Sequence, residues 1–143
     1  MLSNDERETL VRWSRRRSSA QALALRCRIV LACAEGLTNQ AVAARVGGEV
    51  VSADSMQAYR GLPILTAQPE RPTRLVGVWP LSHEGSVAEY ADLAHAEIDR
   101  LLAEGSTPVV SGGTGLYLRA RLGVDWMSLA CGLLAFAVST PNM

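Results

Sequence analysis

The stretch Val50-Val51-Ser52-Ala53-Asp54-Ser55-Met56-Gln57-Ala58-Tyr59-Arg60 sets a carboxylate immediately after a β-branched run. A buried strand over Glu49–Ala53 leaves Asp54 just past its carboxyl end, where open α/β sheets present ligand-binding groups. An aspartate there can take a proton from an amine or hydroxyl nucleophile while neighbouring polar side chains hold the substrate. The same residues suit a plain structural use, with Asp54 or Ser52 accepting bonds from free backbone N–H groups. A second candidate is Val109-Val110-Ser111-Gly112-Gly113-Thr114-Gly115-Leu116. Glycines between a strand and a helix let backbone N–H groups approach a phosphate, whose charge the helix N-terminus favours. A tight strand-to-helix turn uses glycine without any ligand as well.

The elements that must position these residues follow from capping and periodicity. Leu75-Val76-Gly77-Val78-Trp79 reads as a second strand, stopped by Pro80, and Pro108-Val109-Val110 as a third. Between them Ser86 and Glu89 have capping-box spacing, opening a helix to about Glu104. Val87, Tyr90, Leu93, Ala94, Ile98, Leu101 and Leu102 keep helical period along it, and Gly105 ends it. Strand, helix, strand, glycine turn and helix in that order predict a parallel α/β arrangement. Residues 60–73, with Pro63, Pro69 and Pro72, read as a loop.

The first 47 residues read differently. Ser3 and Glu6 predict a capped helix over Asn4–Arg16. A second helix over Ala20–Glu35 places Leu23, Cys27, Val30, Leu31 and Ala34 on one stripe, with Gly36 as its stop. Thr38 caps a third, Asn39–Arg45, with Val42 and Val46 inward. The last segment, Met127–Val138, is almost wholly apolar yet short of the roughly 20 residues that span a bilayer. It suits a docking helix or an exposed, aggregation-prone segment.

Composition bounds the rest. The 143 residues carry zero net charge, and every one of the 14 basic residues is arginine. Residues 1–47 hold eight arginines against four acids and residues 48–143 six against ten, an asymmetry that suits either a nucleic-acid-facing arm or a solvated helix. Cys27, Cys33 and Cys131 form no CxxC pair, and His83 and His95 lack ligand spacing, so a reduced, metal-free, cytoplasmic protein without membrane contact is expected.

Leu37-Thr38-Asn39-Gln40-Ala41-Val42-Ala43-Ala44-Arg45-Val46-Gly47, with Ser19–Arg26 and Ile29–Gly36 before it, resembles the helix-turn-helix head of insertion-sequence transposases. That family places a recognition helix directly after the turn, whereas this chain continues Gly48-Glu49-Val50-Val51, which is acidic and strand-like. The resemblance implies a small DNA-binding protein acting through residues 1–60 as one alternative, and a helical scaffold that reads no DNA as the other.

The Asp54 and Gly112 motifs together, in order and with the Ser86 helix between them, resemble the tRNA dimethylallyltransferases from about Gly48 to Ala120. The resemblance implies a partial P-loop-kinase-like parallel sheet with helices, preceded by the three-helix segment. It implies transfer of a dimethylallyl group from dimethylallyl diphosphate to N6 of an anticodon-adjacent adenosine in tRNA, with Mg2+ as cofactor. Asp54 would be the general base, Ser55, Met56 and Gln57 the tRNA contacts, and Gly112, Gly113, Thr114 and Gly115 the active-site channel. The family's phosphate-gripping G-x-x-x-x-G-K-[ST] loop needs a lysine, and this sequence has none. Its Thr-Ala-Lys-Pro segment stands here as Thr66-Ala67-Gln68-Pro69. After Ala120 the motif resemblance stops. Three pieces are therefore expected: residues 1–47 helical, 48–120 an α/β fragment, and 121–143 an apolar tail. No useful activity is expected from this chain alone, and residues 1–47 are expected to be removable without loosening the remainder.

Overall fold

A computed structural model describes residues 2–16 and 21–112 and the backbone of 135–137. Helix α1, Asn4–Arg15, begins on the expected capping box: Ser3 Oγ accepts from the Glu6 N–H at 3.3 Å, and the Glu6 carboxylate accepts from the Ser3 N–H at 2.8 Å. Helix α2, Gln21–Ala34, closes at Gly36 with a φ of +80°, a conformation glycine adopts without strain. Helix α3, Asn39–Arg45, has the predicted bounds, with Thr38 Oγ1 accepting from the Ala41 N–H.

The buried face of α2 departs from the predicted stripe. Cys27, Ile29 and Ala32 are buried, whereas Leu23 and Ala34 are exposed. The helix packs against α1 as well as α3, so apolar residues lie on more than one side, and a single-stripe reading finds Cys27 but misses Ile29 and Ala32.

Strand β1, Gly48–Ser52, pairs in parallel with β2, Thr107–Ser111, in the register Gly48↔Thr107 to Ser52↔Ser111. Helix α4, Val87–Ala103, makes the crossover between them. Strand β3, Ala135–Ala137, pairs antiparallel with the other edge of β2, giving the order β1-β2-β3. The apolar tail thus contributes a paired strand at these three residues, where a docking helix or an exposed segment was expected.

Leu75–Trp79 does not form the second strand. Arg74 bridges β1 through its N–H to the Val50 carbonyl (3.2 Å) and its carbonyl to the Ser52 N–H (2.9 Å), and Trp79 makes a separate bridge to Tyr59. Between them Leu75 (φ +64°) and Gly77 (φ +65°) turn the backbone. The buried Leu75 side chain fills the core, and that packing outweighs the cost of its left-handed conformation.

Alternation along the strands builds two cores, one on each sheet face. Val51 and Val110 face Tyr90, Ile98 and Leu101 of α4, joined by Ala53, Ala58, Leu75 and Trp79. Val50 and Val109 face Ile29 and Ala32 of α2 and Val42 and Ala43 of α3, with Val46 packed alongside. The result is three layers, α2/α3, sheet and α4, an α/β arrangement of mixed helices around a small parallel pair. Because α2 and α3 cover Val50 and Val109, the expectation that residues 1–47 can be removed freely gives way to its opposite. In α4, Leu93 is exposed rather than inward, and the Glu89 carboxylate leaves the Ser86 cap to meet His83 Nε2 at 3.0 Å. Among the described residues no helix is long and apolar enough to cross a membrane.

Candidate functional site at the carboxyl edge of the parallel strands

The register of β1 and β2 ends both strands at one level, Ser52 beside Ser111, so the following residues emerge together. The Ala53 N–H donates to the Ser111 carbonyl at 2.7 Å, and Gly112 lies against the Ala53 main chain. Asp54 and Gly112, from motifs far apart in sequence, therefore leave the same sheet edge side by side.

Asp54 is half-buried. Its N–H donates to Ser52 Oγ at 3.3 Å, and its Oδ1 accepts from the Met56 N–H at 2.9 Å, which closes a tight turn after the strand. One oxygen thus serves the backbone, as the structural use anticipates. Among the described residues Oδ2 carries no hydrogen bond. Ser55 is half-buried in the same turn, and Met56 is 54% exposed at its tip.

Gln57 points inward as a strut. Its Oε1 accepts from the Ser52 hydroxyl at 3.0 Å, and its Nε2 donates to the carbonyls of Thr66 (3.3 Å) and Ala67 (3.1 Å). Its own carbonyl accepts from the Gly77 N–H at 2.8 Å. Gln68 donates through Nε2 to the carbonyls of Gln57 (3.2 Å) and Tyr59 (2.7 Å). The proline-rich loop is thereby tied to the Asp54 turn through two glutamine side chains. Gly112 is half-buried at the edge; Gly113, Thr114 and Gly115 lie outside the described residues.

Sequence reasoning missed three residues that shape this edge. Tyr90, read only as part of a helical stripe, donates its hydroxyl to the Ser52 carbonyl. Gln68 has a side-chain role that spacing does not reveal. Asn39, from the first turn of α3, donates Nδ2 to Ser111 Oγ at 2.6 Å. Beside it Gln40 donates Nε2 to Thr73 Oγ1 at 2.8 Å, so both first-turn polar side chains of α3 are spent on this α/β unit. No helix follows α3 directly; β1 does.

Beneath the edge Trp79 packs against Tyr59, Tyr90 and His83, with ring centroids 5.5, 5.7 and 5.0 Å away. A carboxylate and guanidinium network lies apart from the site. Arg74 meets Glu49 (2.9 Å) and Glu97 (3.2 Å), and the Arg100 guanidinium, bonded to Glu97 at 2.8 Å, holds the Glu97 carboxyl below its ordinary value. Burial pushes the Cys27 and Cys33 thiols up, which keeps them protonated and poor nucleophiles. Among the described residues no group of three or more His, Cys, Asp or Glu side chains is arranged to hold a metal ion.

Comparison with known proteins points to one family. A tRNA dimethylallyltransferase of Streptomyces griseus is 54% identical over 87 residues, which is 57% of this chain and 28% of that protein. One from Salinispora tropica is 52% identical over 88 residues, with the same two coverages of 57% and 28%. Among solved structures, a tRNA delta(2)-isopentenylpyrophosphate transferase from Staphylococcus epidermidis superposes with a TM-score of 0.51 at 31% identity, covering 56% of this chain and 28% of that one. The chain therefore spans little more than a quarter of the length of the relatives it matches. The family model for IPP transferase matches residues 57–130, reaching beyond the Ala120 at which the motif resemblance ends. With just over half of its residues in that match, the chain belongs to the IPP transferase family.

Proposed function

We propose that this chain presents the adenosine-facing side of a tRNA prenyltransferase site. The observation that carries this reading is the juxtaposition of Asp54 and Gly112 at one sheet edge, in a chain of the IPP transferase family. In the reaction proposed, the adenine N6 amine gives a proton to Asp54 Oδ2 as N6 forms a bond to C1 of the dimethylallyl group. The C1–O bond breaks, and diphosphate leaves with the electron pair. Met56, exposed at the tip of the turn, and Ser55 beside it contact the tRNA; Gln57 holds the turn in shape for them. Gly112 to Gly115 line the channel toward the diphosphate, with Thr114 as its polar group.

Magnesium does not fit the described edge as a protein-held ion. Asp54 is its one carboxylate, one oxygen of which is bound to the Met56 N–H, and the other is needed as base. In this reading magnesium arrives with the diphosphate, as part of the substrate, and no step of the chain's own residues depends on it. The β1–β2 pair is part of a P-loop-kinase-like sheet within residues 48–120. Residues 1–47 cover one face of it as a scaffold rather than reading DNA, and Ala135–Ala137 adds to its edge.

The test is binding of a fluorescent anticodon stem-loop carrying the target adenosine. The full chain is expected to prefer it to an unrelated hairpin, and Asp54→Ala to weaken binding about tenfold, the loss of one charge-assisted hydrogen bond. Equal affinity for both hairpins, or an unchanged Asp54→Ala, would overturn the reading.

A further inference from the structure

Large aliphatic side chains usually find cover from water, yet Ile64 and Leu65 stand 96% and 78% exposed at the tip of the proline-rich loop. The tip is not slack. The Leu62 carbonyl accepts from both the Thr66 N–H (3.1 Å) and the Thr66 hydroxyl (2.8 Å), and the Pro63 carbonyl accepts from the Gln68 N–H at 2.9 Å. Thr66 itself is buried, so the loop closes on an anchored base and leaves its two apolar side chains in solvent.

That base is fixed to the turn that carries Asp54. Ser52 Oγ accepts from the Asp54 N–H at 3.3 Å and donates to Gln57 Oε1 at 3.0 Å. The Nε2 of the same amide donates to the carbonyls of Thr66 (3.3 Å) and Ala67 (3.1 Å). Ser52 and Gln57 thus bridge the Asp54 main chain to the residues that follow Leu65. Arg60 and Arg71 outnumber Glu70 within residues 60–73, a net positive charge that suits a phosphate backbone.

We propose that Ile64 and Leu65 form an apolar wedge for tRNA, packing against the nucleobase next to the target adenosine in the place that the target vacates. The inference rests on the adenosine reading above and deepens it. A base stacked among its neighbours cannot bring its exocyclic amine to a carboxylate on a protein surface, so the target must leave its stack. The gap left behind uncovers the face of a neighbouring base, and aliphatic side chains inserted between base steps cover such faces. A loop already closed by its own hydrogen bonds loses little freedom when its tip inserts.

The experiment uses the full chain and two anticodon stem-loops, each with 2-aminopurine on one side or the other of the target adenosine. Stacking on a neighbour quenches 2-aminopurine, and loss of that stacking raises its emission. At saturation the wild-type chain is expected to raise the emission of one of the two several-fold. Ile64→Ser combined with Leu65→Ser is expected to weaken binding about tenfold, the worth of one base contact. It should also remove most of the rise at saturation, because the neighbouring bases then close the gap. Ile64→Met combined with Leu65→Met keeps an apolar tip and is expected to keep both affinity and emission. Both side chains are exposed, so each variant should melt with the wild type by Trp79 fluorescence; a serine variant that unfolds would mark the tip as core packing and overturn the wedge. No rise with the wild type in either stem-loop overturns it, as does weaker binding of the serine variant with the full rise retained, which places the contact elsewhere on the RNA. Unchanged affinity and emission in the serine variant overturn it and leave the adenosine reading intact. A dimeric wild-type chain that the serine substitutions render monomeric in sedimentation means that a second copy covers the tip, which also overturns it. A wild-type chain that binds neither stem-loop better than an unrelated hairpin overturns the adenosine reading and the wedge with it.

Discussion

Gly112 lies against the main chain of Ala53: a Cβ added to it would stand 2.4 Å from both the carbonyl carbon and the carbonyl oxygen of Ala53. Those are backbone atoms of a strand end, and they cannot swing aside as a flexible side chain can. Gly112→Ala must therefore part β1 from β2 where Asp54 emerges. Urea unfolding should show a loss of about 2–3 kcal/mol, in the range of overpacked interiors. Stem-loop binding should fall with it, since the spacing of Asp54 from the glycine turn changes.

Tyr90 ties α4 to the edge through its hydroxyl bond to the Ser52 carbonyl. Tyr90→Phe keeps the ring contact with Trp79 and removes only the hydroxyl. We expect a loss of about 1 kcal/mol in thermal or urea unfolding, the usual net worth of such a bond. An unchanged midpoint would show that the Ser52 carbonyl finds another donor.

Ile29 of α2 is 1% exposed and shares a core with Val50 and Val109. Ile29→Ala should cost about 2–5 kcal/mol, as buried large-to-small changes do. Read through Trp79 on the opposite face, in a variant with Trp13 and Trp126 replaced, the loss should appear in full. A Trp79 transition indifferent to Ile29→Ala would mean that residues 1–47 fold apart from the sheet.

Acid should weaken the fold partly through Glu97. The hydrogen bond from Arg100, with Arg74 nearby, holds its carboxyl below the ordinary value, so the folded state favours the ionised form. That contribution is fully present above the ordinary carboxylate range and is lost as pH falls through the lowered value. The side chains are partly exposed, so the effect is screened by salt. Glu97→Gln should narrow the difference in urea midpoint between pH 7 and about pH 3, more so at low ionic strength. An identical pH profile would remove Glu97 from the account.

Several parts of this protein were determined locally and were therefore legible in its residues alone. Ser3, Thr38 and Ser86 satisfy backbone donors within their own first turns, and Gly36 and Gly105 end helices by adopting positive φ, so helix bounds follow from neighbours in sequence. The runs at Val50 and Val109 and the placement of Asp54 past a strand end were visible for the same reason. What tertiary structure alone decided was which partners those elements find. Leu75–Trp79 has the composition of a strand, but the need to bury Leu75 and reach both Arg74 and Trp79 bridges turned it instead. The buried side of α2 depended on its packing against two neighbours, which no single periodicity encodes. The contact of Asn39 with Ser111 spans 72 positions of sequence, and that of Tyr90 with Ser52 spans 38. Such bonds form because the parallel register brings two strand ends to one level and the helices bury their apolar faces on either side. Hydrophobic burial sets that geometry, and the hydrogen bonds at the sheet edge are its consequence.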